Sequence, residues 1–222
     1  MHVLLFDIDG TLVSSGGAGK AAIEAALAEE FGVTVQAKVP YSGRTDRAII
    51  QDLFRLHGLQ DTPDHLQKLL DGYFKRLPGF LAAHKGQILP GIAALLAHLQ
   101  DRDVVVGLLT GNVRQGARLK LGHFGIAHHF AFGGFGDHHF DRDDVAREAY
   151  AAAQAHLNGA LVRERVWVIG DTPLDIRCAR CIGVNVAAVA TGWHSYAELE
   201  TAQPDLLVSD MSDPAPLLAM LK

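Results

Sequence analysis

The sequence predicts an α/β fold: a parallel-sheet core with an all-helical domain inserted after its first strand. Three observations carry this. Short β-rich runs recur at Val3–Asp7, Val104–Thr110, Phe130–Gly134, Val166–Gly170, Val184–Val189 and Leu206–Val208, separated in the C-terminal half by helical patterns. Residues from about 15 to 85 break this alternation and read as helices only. Asp7, Thr110 and Asp171 fall at the carboxyl ends of their strands, where open parallel sheets gather their sites.

The first strand, Val3-Leu4-Leu5-Phe6, runs straight into Asp7-Ile8-Asp9. An extended chain points residues two apart to one side, so both acids share a small site, and Gly10 lets the chain turn away beyond them. Like charges that close are costly unless a cation sits between them or one group keeps its proton, which invites Mg²⁺ and two different roles for the pair. Gly16-Gly17-Ala18-Gly19-Lys20-Ala21 looks superficially like a phosphate-binding loop. It has Ser14 where a glycine is needed and Ala21 where Mg²⁺ would need Ser or Thr, so it reads as a hinge.

Three helical stripes follow. Ile23, Leu27 and Phe31 recur before Gly32; Ile49, Ile50, Leu53 and Phe54 lie between Thr45 and Gly58. Thr62-Pro63-Asp64 supplies a cap, a first-turn proline and an acid for a third helix carrying Leu66, Leu69, Leu70, Tyr73, Phe74 and Leu77. Pro90-Gly91 starts a helix through Ile92, Leu95, Leu96 and Leu99 that feeds the second strand of the sheet. That strand ends in Thr110-Gly111-Asn112, where a hydroxyl and backbone N–H groups at a helix N-terminus form an oxyanion site. Val166–Gly170 opens on Asp171, and Asp175 follows in the first turn of the next helix, a position the helix dipole also favours. Asp7, Asp9 and Asp171 together at neighbouring strand tips suit a hard cation such as Mg²⁺.

Composition narrows the class. With 222 residues, 49% apolar and 20% charged, the chain is an ordinary globular protein with room for one sizeable core and a smaller second domain. A formal charge of −5 without a Lys/Arg cluster argues against nucleic acid or an anionic membrane as partner. No apolar run approaches a membrane span and no secretory signal is apparent, so a cytoplasmic location is expected, as a monomer or homodimer. Cys178 and Cys181 lie in a predicted helix and read as two reduced thiols. The His128-His129 and His138-His139 pairs read as solvated loop, because adjacent side chains point apart. Trp193 and His194 line the pocket rim or pack locally.

In order, these motifs resemble the haloacid dehalogenase superfamily, and specifically its phosphoglycolate-phosphatase-like branch with a helical cap. Asp7-Ile8-Asp9-Gly10-Thr11 is similar to the first motif, Thr110-Gly111-Asn112 to the second, and Gly170-Asp171 through Asp175 to the fourth. Tyr41-Ser42-Gly43-Arg44-Thr45-Asp46 resembles the cap's substrate-specificity loop. The resemblance implies a Rossmann-like core with a cap and hydrolysis of a small phosphorylated metabolite. It implies Asp7 as nucleophile forming an aspartyl-phosphate, and Asp9 as general acid and then base. Mg²⁺ would be held by the side chains of Asp7 and Asp171 and the backbone carbonyl of Asp9, with Asp175 close by. Thr110, Gly111 and Asn112 would receive the phosphate, and Arg44 the rest of the substrate. The superfamily's dehalogenases lack the second acid, so Asp9 favours phosphoryl chemistry.

The third motif departs from the pattern, which has a lysine shortly before the helix leading to the fourth strand. Gly136–Asp144 contains none; Arg142 is the expected substitute and Arg147 the runner-up. The expected division is a catalytic core of residues 1–14 and 86–222 around a cap of 15–85. A phosphomutase, a phosphonatase using Lys38 as an imine-forming amine, and a regulatory binding protein on this fold are the alternatives.

Overall fold

The computed structural model describes residues 1–35 and 39–221; Lys38 lies outside the described residues. In chain order the N-terminal part contains β1 (His2–Phe6), β2 (Val13–Ser14), α1 (Ala18–Phe31), α2 (Asp46–Leu56), α3 (Pro63–Ala83), β3 (Gln87–Ile88), α4 (Ile92–Gln100), β4 (Val104–Leu109) and α5 (Arg114–His123). Next come β5 (Gly133–Gly134), α6 (Arg142–His156), β6 (Val166–Gly170), α7 (Pro173–Ile182), β7 (Asn185–Val189), α8 (Tyr196–Thr201), β8 (Leu206–Val208) and α9 (Ala215–Ala219).

Six strands pair in the order β5-β4-β1-β6-β7-β8, and every pairing is parallel. The chain builds outward from β1 to β4 and β5 on one side, then returns to lay β6, β7 and β8 on the other. The crevice between β1 and β6 at their carboxyl ends is therefore the point where strand order reverses. Period-two alternation divides the core. Leu4, Phe6, Leu108, Trp167 and Ile169 face one layer with Ile92, Leu95, Leu96 and Leu99 of α4. Val3, Leu5, Leu109, Val166 and Val168 face the other, against α6 and α7. Val3 to Phe6 are fully buried on both faces, which is why the strand reads as a continuous apolar run.

The inserted helices pack on one another through Ile23, Leu27, Ile50, Leu53, Phe54, Leu69, Tyr73 and Leu77. Val113, just ahead of α5, joins this cluster, so the cap's apolar layer reaches the core. Three features depart from expectation. The third helix continues past Leu77 to Ala83 with Pro78 inside it, because a proline removes only one donor from a long helix held by packing. At the base of the insertion, Val13–Ser14 pairs antiparallel with Gln87–Ile88, a ribbon too short to leave a sequence pattern. The third run, Phe130–Gly134, also contracts, with only Gly133–Gly134 in the ladder. No helix among the described residues is long and apolar enough to cross a membrane.

Candidate active site

Asp7 follows β1 directly, and its backbone N–H donates to Ile169 O of β6 at 2.9 Å, which places it in the reversal crevice. Asp171 follows β6, and Asp175 begins α7 through a reciprocal cap: Thr172 Oγ1 accepts the Asp175 N–H while Asp175 Oδ2 accepts the Thr172 N–H at 3.0 Å. One oxygen from each of Asp7, Asp171 and Asp175 lies within 4.8 Å of the others, and all three residues are buried. A side chain at Gly10 (φ +87°) would put its Cβ 2.3 Å from Asp171 Oδ2, and one at Gly192 only 1.7 Å, so backbone closes around this carboxylate on two sides. Thr11 Oγ1 donates to Asp171 Oδ1 at 3.0 Å.

The cation in this cluster is Arg142, at the start of α6. Its Nη2 is 3.0 Å from Asp7 Oδ1 and 2.5 Å from Asp175 Oδ1, and the side chain is 4% exposed. Burial disfavours its charge, but Asp175 and Asp7 outweigh burial and keep the guanidinium protonated. Arg147 is instead on the outer face of α6, 59% exposed, and pairs with Asp144. Of the two arginines weighed for the third motif, Arg142 lies beside Asp7 and Arg147 does not.

Asp9 occupies a separate compartment. Ser15 Oγ donates to its Oδ1 at 3.0 Å, while Asn112 Nδ2 and Lys120 Nζ donate to Oδ2 at 3.0 and 2.5 Å. The two acids read as sharing one site turn to different partners because β1 ends at Phe6 and the chain is already bending at Asp9, which bridges to Val13. Burial pushes both upward. It carries Asp7 to about 6, against Arg142 and with help from Asp175, whereas for Asp9 the Lys120 charge and three side-chain donors outweigh burial and hold the carboxyl below its ordinary range. Burial, Asp175 and Asp7 together raise Asp171 well above its ordinary value.

Three buried carboxylates facing one guanidinium leave an excess of negative charge on hard oxygen donors, which fits a divalent cation such as Mg²⁺. Asp7 and Asp171 are the side chains best placed to hold it. Asp175 belongs to the same cluster, but both its oxygens already accept, one from Arg142 and the other from Thr172. The Asp9 side chain lies outside the cluster, leaving its backbone carbonyl as the atom it has to offer.

The Thr110-Gly111-Asn112 turn also differs in detail from expectation. Thr110 is fully buried. The Asn112 side chain, read as a substrate contact, is committed internally: it donates to Thr110 Oγ1 at 2.8 Å and to Asp9, and accepts from Lys120 at 2.6 Å. Gly111 O accepts the Asp46 N–H of the cap at 2.7 Å, so this glycine is where the cap loop sits down. Arg44 is corrected. Its guanidinium pairs with Asp52 at 2.8 Å and donates to Pro40 O and Ala48 O, which ties it to α2 rather than to the carboxylates.

Sequence reading missed Lys120 and Ser15, and gave no role of their own to Thr11 and to Asp46, whose Oδ2 accepts the Val113 N–H at 2.9 Å. Elsewhere, the His128 and His129 rings lie 4.0 Å apart at 36° rather than pointing apart, because they fall in a 3-10 turn. The cysteines are free. Trp193 is 90% exposed, and His194 Nε2 meets Ser42 Oγ of the inserted segment at 3.4 Å.

The sequence profile of the haloacid dehalogenase-like hydrolases matches residues 4–180. The chain belongs to this family. Among this hydrolase's relatives is a phosphoglycolate phosphatase of Synechococcus elongatus, 30% identical over 213 residues that cover 96% of this chain and 95% of the relative. One from Cereibacter sphaeroides is 30% identical over 197 residues, 87% of each chain. Its fold matches the crystal structure of a predicted phosphoglycolate phosphatase from Haemophilus somnus (TM-score 0.74, 18% identity, 98% of each chain). It also matches that of CbbY from Rhodobacter sphaeroides in complex with phosphate (TM-score 0.72, 21% identity, 96% of each chain).

Proposed function

We propose that this haloacid dehalogenase-like hydrolase, a phosphoric monoester hydrolase, acts on a small phosphoglycolate-like ester in a Mg²⁺-dependent reaction through an aspartyl-phosphate. The observation that carries the reading is the separation of its acids: Asp7 beside Arg142 and the acidic cluster, Asp9 two residues on and held apart by donors of its own. Bound Mg²⁺ would offset repulsion between an anionic nucleophile and an anionic phosphate. Asp7 attacks phosphorus while the ester P–O bond breaks, and the departing alkoxide takes a proton from Asp9. Water then attacks the same phosphorus, Asp9 takes back a proton, and the acyl-phosphate bond breaks to give inorganic phosphate and the Asp7 carboxylate. Asp9 is ionised in the free enzyme, ready for the second half. The negative phosphate arriving beside it works against Lys120 and favours the protonated form that the first half requires.

The helices of 15–85 serve as the cap that excludes bulk water and meets the leaving group, with 1–14 and 86–222 as the catalytic core. The test is phosphate release across a panel of phosphorylated metabolites, phosphoglycolate first, with and without Mg²⁺. Failure to turn over any monoester would leave the binding-protein alternative.

Two further expectations belong here. Asp9→Asn should slow poor leaving groups by roughly 10²–10⁴-fold while sparing nitrophenyl phosphate in the first half-reaction; equal losses on alkyl and aryl esters would argue against the acid–base role. Arg44→Ala should change KM for an acidic ester and for an aryl phosphate by the same factor. Its partly exposed ion pair with Asp52 contributes about 1 kcal/mol or less to stability, readable as a small drop in Tm. A selective rise in KM for the acidic ester would restore Arg44 to substrate recognition.

A further inference from the structure

Lys120 is a buried cation to which the mechanism above gives no step of its own. It lies on α5, eight residues beyond Asn112, and its side chain is 6% exposed. Its ammonium donates to Asp9 Oδ2 at 2.5 Å and to Asn112 Oδ1 at 2.6 Å, and Asn112 Nδ2 donates to the same Asp9 oxygen at 3.0 Å. The three side chains form a closed ring, and the ring has one consistent polarity. An ammonium has donors only, so it faces the carbonyl end of the Asn112 amide and turns the NH₂ end toward Asp9 and Thr110. Thr110 Oγ1 then accepts from Asn112 Nδ2 at 2.8 Å and from the Asn112 backbone N–H at 3.3 Å. With its lone pairs so occupied, the Thr110 hydroxyl hydrogen is directed away from Asn112.

We infer that Lys120 is a positioning residue of the reaction: by bonding Asp9 and Asn112 together it fixes the acid–base carboxylate. This rests on the proposed role of Asp9. One packing contact and one charge hold the ammonium in place. A Cβ at Gly19 of α1 would lie 3.1 Å from Lys120 Nζ and 3.2 Å from its Cε, so the inserted helix presses a bare backbone onto the end of this side chain. Asp46, the first residue of α2, adds a favourable charge from the same side while its Oδ2 accepts the Val113 N–H ahead of α5. Without the ammonium, the Asn112 amide is free to turn its carbonyl toward Asp9, which places two acceptors face to face and displaces the carboxylate.

The test is Lys120→Met, which keeps the length of the stem and removes the donor. Misplacing a reacting group by about 1 Å costs on the order of 10²-fold. The expected result is a loss near that size in kcat for an alkyl phosphate. With nitrophenyl phosphate, whose leaving group needs no proton, the first half-reaction stays fast while water attack is slowed, so a burst of nitrophenol equal to the enzyme concentration precedes slow turnover. Because Lys120→Met also leaves Asp9 and Asp46 facing each other, the double variant Asp46→Asn/Lys120→Met is measured beside it and should show the same split and the same burst. Equal losses on both substrates without a burst, while Asp9→Asn alone retains its leaving-group dependence, would overturn the inference and make Lys120 a structural cation. If Asp9→Asn itself shows no leaving-group dependence, the acid–base reading fails and the inference falls with it.

Discussion

Asp7→Asn is expected to abolish Mg²⁺-dependent phosphate release from every monoester the wild-type protein accepts, including nitrophenyl phosphate. The amide occupies the volume of the carboxylate but has no negative oxygen with which to form a bond to phosphorus. Leaving-group quality therefore cannot rescue this variant, whereas it should largely rescue the first half-reaction of Asp9→Asn. The geometry sharpens the contrast. Asp7 sits against Arg142 at 3.0 Å, and its own backbone is fixed to β6 through Ile169 O, so an asparagine there has no reason to move the chain. The variant should fold, and the phosphorylated enzyme that rapid quench is expected to trap in the wild type should disappear with turnover. Retained turnover would remove the covalent intermediate from the mechanism.

The parts of this site legible in the sequence are those fixed by strand ends. Asp7, Thr110 and Asp171 each follow a run of apolar residues buried on both faces of the sheet, so the point where the run stops is also the point where side chains become available for chemistry. The helices of the insertion were legible for a related reason, since each carries one apolar stripe and packs with it. Lys120 was not found because its partners, Asp9 and Asn112, are 111 and 8 residues away and nothing local marks the encounter. A signal was nevertheless present. Gly116, Ala117 and Leu121 put the buried face of α5 around position 120, and a lysine on such a face must have an acid to meet. Arg44 was misjudged in the opposite sense. Its loop does reach the Thr110-Gly111-Asn112 turn, but through the Asp46 N–H on Gly111 O, while the guanidinium is held by Asp52 eight residues further along the chain. The β2–β3 ribbon escapes any periodicity argument because two residues per strand contain no period to detect.

Arg142→Ala should combine a catalytic loss with a structural one, and the two are separable. Arg142 bonds Asp7 at 3.0 Å and Asp175 at 2.5 Å, and both carboxylates are buried. Removing one preorganised charge-stabilising donor costs about 10²–10³ in kcat, because the negative charge shared by Asp7 and the phosphate loses its cation. Breaking a buried pair by deleting one member typically costs about 3–5 kcal/mol, since the partners are left desolvated and unpaired. A pronounced fall in Tm is expected beside the loss in kcat. Arg142→Lys separates these effects. An ammonium carries the charge and can neutralise Asp175 or Asp7, but both contacts run through Nη2 at the far end of the guanidinium, which the shorter lysine stem does not reach in the same geometry, so stability should recover further than kcat. Arg147→Ala is the control: on the outer face of α6 its guanidinium pairs with exposed Asp144, and removing it should leave kcat nearly unchanged. If Arg147→Ala proves damaging and Arg142→Ala silent, the cation acting on the phosphate does not come from the start of α6, and the short Arg142–Asp175 bond is a structural brace for the cap of α7 alone.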